Sequence, residues 1–197
     1  MIGNELEQEI ISLYAKDTSS LYSINQIASK LGKTYPYINK KITRLIKNKI
    51  FKKTISGRAY LCSLNLDNDE TIYLLILNEI KKKKQELTKK PELRKVMSYA
   101  NKLKKLTGLQ LVLKHKNKII YVLENQQEKE QVQKASLRQV AQGHHATALT
   151  KKEFLGELLE NKEIQENHVI LYGYEKYYEY LKEIEDELKL RYSKLIP

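Results

Sequence analysis

Apolar residues recur along this chain at helical spacing, then at strand spacing, and the switches between the two mark out its elements. Leu6, Ile10, Leu13 and Tyr14 share one face and predict a helix from about Asn4 to Lys16. Ser23 is an N-cap type, and Ile24, Ile27, Ala28 and Leu31 follow it at the i, i+3, i+4, i+7 offsets before Gly32 stops the run. Lys33 and Thr34 make a short connection to a third helix, where Pro36 fits the first turn because the N–H it lacks is unpaired there anyway. That helix runs to about Asn48, with Ile38, Ile42, Leu45 and Ile46 on its inward side. Ile50 to Ile55 and Arg58 to Leu64 then alternate as two strands joined at Ser56-Gly57.

Beyond the hairpin, Asp67 and Glu70 form a capping-box pattern. Ile72 to Leu77 is apolar on every side, which predicts a buried helix ending in the Lys81 to Lys84 run. Thr88 to Pro91 breaks the pattern and reads as a linker. Val96, Met97, Ala100 and Leu103 mark a helix closed by Gly108. Leu109 to Leu113 and Ile119 to Leu123 read as strands around the basic turn Lys114 to Lys118. Val132, Ala135 and Val140 suggest a helix ending near Gly143. Thr150 and Glu153 cap the next one, whose Phe154, Leu155, Leu158 and Leu159 face inward. Val169 to Leu171 is a short buried strand, and Tyr174, Tyr177, Leu181, Ile184 and Leu188 keep a near-heptad spacing along a last helix of about four to five turns. The expected organisation is α+β: an N-terminal helical unit with a hairpin over 1–66, a connecting helix and linker over 67–91, and a small α/β or α+β domain over 92–197.

Charge changes the picture by its distribution. The net charge is +12, yet Lys30 to Arg58 holds ten Lys or Arg and no Asp or Glu, whereas the rest of the chain mixes both signs. No apolar run is long enough for a membrane span, the N-terminus is unlike a signal peptide, and the only cysteine, Cys62, can make no internal disulfide. These features lead us to expect a cytoplasmic, nucleoid-associated protein.

On the third helix, about 100° per residue sets Tyr37, Lys40, Arg44 and Lys47 opposite the apolar stripe, flanked by Asn39 and Lys41. A basic helix of this width fits the major groove of B-DNA, where Arg and Lys reach guanine and Asn pairs with adenine. Lys33, Thr34 and Tyr35 lead into it, and the hairpin adds Lys52, Lys53 and Arg58 as phosphate or minor-groove contacts. A lysine-rich face is also what a solvated packing helix shows. The segment SINQIASKLGKTYPYINKKITRLIKNKIFKKTISGRAYLCSLN resembles the winged helix-turn-helix family. The resemblance covers roughly the first third of the chain and implies double-stranded DNA binding.

The segment ALTKKEFLGELLENKEIQENHVILYGYEKYYEYL is similar to the end of small nucleotidyltransferase-like domains of prokaryotic regulators. In active members a Gly-Ser pair follows the first strand and closely spaced Asp residues hold metal ions. Here Lys114-His115-Lys116-Asn117 stands at the first position, and no Asp occurs between Asn101 and Glu185, so the resemblance implies a domain without that active site. His144-His145 reads as a polar loop, Cys62 as a packing thiol, Gly173 as a turn residue, and the tyrosines at 174, 177, 178 and 180 as core or dimer-interface residues. No metal, cofactor or enzymatic constellation is expected. The leading expectation is a DNA-binding transcriptional regulator or nucleoid-associated protein, dimeric through its C-terminal domain, with any small-molecule or protein effector unidentified. A winged-helix interaction module (antitoxin or adaptor) and an RNA-binding protein are the other classes the pattern allows.

Overall fold

A computed structural model describes residues 5–56, 59–136 and 144–192. The chain is α+β and forms two compact units, one from the N-terminal segment through Asn78 together with the segment from Glu185 onward, the other Glu79–Ile184.

In the first unit the order is α1 (Glu5–Ala15), β1 (Tyr22–Ser23), α2 (Ile24–Leu31), α3 (Tyr35–Lys47), β2 (Phe51–Ser56), β3 (Ala59–Leu64), the start of α4 (Asp69–Lys89), and α10 (Glu185–Tyr192). The strands make an antiparallel sheet ordered β1-β3-β2. β1 is only two residues long and carries no alternation the sequence could show. Ser23 caps α2 through a reciprocal capping box with Gln26, and Gly32 ends it in the left-handed conformation, φ +61°. Ile38, Ile42 and Leu45 are fully buried, and α3 packs on α2 and β2. Tyr14 sits at the centre. Its ring meets Tyr22 and Phe51 edge-on at 5.1 and 4.9 Å, and its hydroxyl donates to the Cys62 carbonyl at 2.9 Å, tying α1 to all three strands. Cys62 itself is buried.

The second unit contains the rest of α4, α5 (Leu93–Leu103), β4 (Leu109–His115), β5 (Lys118–Leu123), α6 (Gln126–Ser136), β6 (His145–Thr150), α7 (Lys151–Glu160), α8 (Lys162–Glu166), β7 (His168–Tyr172) and α9 (Tyr174–Glu183). Its sheet is ordered β6-β5-β4-β7; β5 and β6 are parallel and the other pairs antiparallel. Alternation divides the side chains between two faces. Val112, Ile119, Tyr121, Ala146, Ala148 and Val169 join Val96 and Ala100 of α5 and Val132 of α6 in one core. The next residues along each strand face the other way, toward α7, α8 and α9.

Several expectations are corrected. Asn68, not Asp67, caps α4: its Oδ1 accepts from the Glu70 and Thr71 amides at 2.8 and 3.3 Å, while Asp67 pairs with Lys52 at 2.9 Å. Without Gly or Pro to stop it, α4 runs on to Lys89, past the lysine run. Thr88 to Pro91 is therefore the end of a helix and a turn inside the second unit, and the division between units falls at Asn78. Leu74, Leu75 and Ile76 are buried as expected, but Tyr73 is 61% exposed and Leu77 is exposed too. α5 ends at Leu103, leaving Gly108 to precede β4. His145 opens a strand, where the sequence reads as loop. Leu155 and Leu159 are only half-buried, unlike Phe154 and Leu158. The last helix breaks at Ile184 into α9 and α10. Tyr177, Tyr178 and Tyr180 are core residues, so they do not form the dimer surface envisaged for them. Gly57, Arg58, Val140 and Gly143 lie outside the described residues. Among the described residues, no helix is long and apolar enough to cross a membrane.

Two glycines separate conformational strain from steric overlap. Gly32 has open space around a would-be Cβ, whereas a Cβ on Gly173 (φ +83°) would overlap the carbonyl oxygen of Gln110. Gly32→Ala should cost about 1 kcal/mol, the left-handed backbone alone. Gly173→Ala should cost about 2 kcal/mol or more, because displacement of β4 is added. Urea unfolding of the two variants checks the ranking, and equal losses would contradict it.

Candidate functional site

The side chains that α3 presents follow from its buried stripe. With Ile38, Ile42 and Leu45 turned inward, Pro36, Tyr37, Lys40, Thr43, Arg44 and Lys47 are exposed on the other side. Lys40 and Lys47 make no ion pair among the described residues. The C-terminal end of α3 is held by side chains from the β3–α4 connection. Asn65 Nδ2 donates to the Lys49 carbonyl at 2.8 Å and Asn68 Nδ2 to the Asn48 carbonyl at 3.2 Å, around a left-handed Lys49 (φ 59°). At the other end, Thr34 is the N-cap residue and Tyr35 and Pro36 form the first turn, with Tyr35 and Tyr37 exposed.

Other expected residues are placed differently. Lys41 turns toward α1, its side chain 15% exposed and its Nζ 3.6 Å from Glu7, so it is not presented with Lys40. Glu7 is buried and also lies 3.9 Å from the Arg44 Nε, but Arg44 remains 61% exposed. Lys33 reaches Glu9 at 3.7 Å. Asn39 is half-buried. On the hairpin, Lys52 is held by Asp67, and Lys53 lies 3.8 Å above the Tyr60 ring. Thr54 and Ile55 are exposed near the hairpin end, Ile55 at 79%. The charge count along the chain overlooked Thr43, which carries no charge. Its spacing of three from Lys40 and four from Lys47 was the available signal.

The second unit holds a line of chemistry that separate motifs did not reveal. His145, Lys118, His115 and His168 are register partners across β6, β5, β4 and β7, so their side chains share a face. His168 is fully buried. Its Nδ1 lies 2.9 and 2.8 Å from the carbonyls of Ile164 and Gln165; carbonyls only accept, so Nδ1 carries the proton. The bare Nε2 faces Glu79, 3.6 Å away, with Lys82 3.7 Å from the other Glu79 oxygen and the Tyr177 hydroxyl 3.3 Å from Nδ1. Burial, reinforced by Lys82 and His115, pushes the His168 pKa down to about 3. Burial likewise raises the Glu79 carboxyl, against the pull of Lys82. On the opposite face Lys114, also buried, is neutralised by Glu86 at 3.0 Å. Among the described residues, no group of three or more His, Cys, Asp or Glu is placed to hold a metal ion.

The His168 shift has a stability consequence. A histidine depressed in the folded state binds its proton only in the unfolded chain between about pH 6.5 and 3, so folding weakens as pH falls through that window, by up to about 1.4 kcal/mol per pH unit. Glu79 acts oppositely, favouring the folded state as pH falls toward the ordinary glutamate value. Thermal unfolding from pH 7 to 5 should show wild type losing more stability than His168→Gln, which retains Glu79. Parallel curves would rule the assignment out. Compared with known protein families, curated proteins and solved structures, the chain shows no match.

Proposed function

We propose that the first unit is a winged helix-turn-helix that binds double-stranded DNA, with α3 in the major groove and the β2–β3 hairpin as the wing, and that the protein acts as a transcriptional regulator or nucleoid-associated factor. The observation that carries this reading is the exposed side of α3, where Lys40, Arg44 and Lys47 stand beside Thr43 and Tyr37 with no carboxylate on the helix. Tyr37 and Lys40 in the first half of α3, with Thr43 just past its midpoint, are the base-edge contacts, and Arg44 and Lys47 serve the backbone. Lys53 on the hairpin adds a phosphate contact. With lysine dominant over arginine, bidentate base readout is sparse and sequence discrimination modest.

Binding of the full chain to labelled duplex DNA, duplex RNA and single strands across a salt series tests the reading. About four neutralised phosphates give a slope of about −3.6 in log K against log salt. Lys40→Glu/Arg44→Glu should abolish duplex binding. An unaffected variant would move the protein to the interaction-module class, and preference for single strands would assign Tyr35 and Tyr37 to stacking on unpaired RNA bases.

Glu7 provides an independent check, because it draws Lys41 and Arg44 toward α1. Glu7→Gln should tighten duplex binding by about two- to fivefold at low salt, and the gain should disappear at high salt. Weaker binding in this variant, with its melting temperature retained, would contradict the placement of Arg44 on DNA.

A further inference from the structure

Three members of the row, His145, Lys118 and His115, line a cavity of about 480 Å³, a size suited to a small molecule. The β4–β5 turn walls one end. Lys116 there is left-handed (φ 52°), and the Asn117 carbonyl accepts from the His145 amide at 2.7 Å, which fixes the start of β6 beside the turn. His115, Lys118, His145 and Thr147 line the sheet side, and Glu157, Asn161 and Glu163 line the side formed by α7 and α8. Ile120, Leu149 and Ile164 supply an apolar part.

The charges in this cavity are balanced but not all paired. Lys116 is tied to Glu163 at 2.6 Å. Neither Lys118 nor Glu157 has a side-chain ion pair or hydrogen bond among the described residues. His115 is buried, and its Nε2 has no protein partner. Asn161 uses its Oδ1 to cap α8, accepting from the Glu163 amide at 3.2 Å, which leaves its Nδ2 able to donate. A polyanion such as a nucleotide would meet two carboxylates, a polycation would meet two lysines, and a metal ion finds no three-ligand group among the described residues. The ligand class that satisfies an unpaired cation on the sheet side and an unpaired anion on the helix side, beside an apolar surface, is dipolar and net neutral.

We propose that this cavity binds a zwitterionic amino acid with an apolar side chain. Its carboxylate is received by Lys118 and the Asn161 amide, its ammonium group by Glu157 and the Thr147 hydroxyl, and its side chain by Ile120, Leu149 and Ile164. The buried His115 supplies a further hydrogen-bonding nitrogen at the sheet. This assignment is independent of DNA binding and is tested without DNA.

The test is calorimetric titration of the full chain with each of the twenty common L-amino acids. For leucine and phenylalanine, analogues that keep one charge are included (4-methylpentanoate, 3-methylbutylamine, 3-phenylpropionate and phenethylamine), with inorganic phosphate and AMP as polyanion controls. An aliphatic or aromatic amino acid should bind, and its single-charge analogues should bind about tenfold or more weakly, since each loses a charge-assisted contact. Lys118→Met and Glu157→Gln, both at exposed positions, should each weaken binding by a similar factor while retaining the ligand-free melting temperature. Failure of every amino acid to bind, equal binding of a single-charge analogue, tighter binding of phosphate or AMP, or unchanged affinity in both variants would each overturn the proposal.

Discussion

The rotation of α3 about its own axis is the constraint on which the character of the first unit depends. Three aliphatic side chains, Ile38, Ile42 and Leu45, are withdrawn from water against α2 and β2, each contributing about 1.5–3 kcal/mol. A rotation by one residue, about 100°, would expose part of that stripe and bury lysines, so the apolar stripe determines which cations reach solvent. The ends of the helix reinforce this setting. Gly32 redirects the chain after α2, and Asn65 and Asn68 bind the carbonyls just beyond the last turn. The Tyr14 cluster then joins α1 to the sheet, fixing the helices relative to the hairpin within this unit.

In the second unit the sheet separates two kinds of interior. One face is an apolar core against α5 and α6, with the Lys114–Glu86 pair at its margin. The other carries His145, Lys118, His115 and His168 in one row, and its polarity is resolved differently at each end. At the β7 end the row is sealed, with His168 neutral and tied to backbone carbonyls beneath Tyr177. At the β6 end it opens into the cavity with Lys118 and His145. Buried polar groups without partners cost stability, so this face contributes less to folding than an apolar one of the same area would.

Much of this was legible in the residues. Helical spacing located α1, α2, α3, α5 and α7. Ser23 and Thr150 announced their caps three residues before Gln26 and Glu153, and the alternating runs located the two hairpins. Less legible were elements whose identity depends on a neighbour. β6 reads HATALT, with small residues that gain strand character only by pairing alongside β5, and the two residues of β1 are a strand only because Leu61 and Cys62 lie opposite. The last apolar repeat reads as one helix, but the break at Ile184 divides it between two cores.

For the candidate sites the division is similar. The sequence by itself determined the absence of carboxylates from Lys30 to Arg58 and the side of α3 that carries cations, because a single helix's faces follow from its own period. Only the tertiary structure decided that Lys41 turns to Glu7 and Lys52 to Asp67, since those acids come from α1 and from the loop after β3. The same holds for the histidine row, drawn from four strands whose register no local pattern encodes. Periodicity is a property of neighbouring residues and can be read along the chain, whereas ion pairing and strand register are set by distances between segments far apart in sequence, which exist only once the chain has folded.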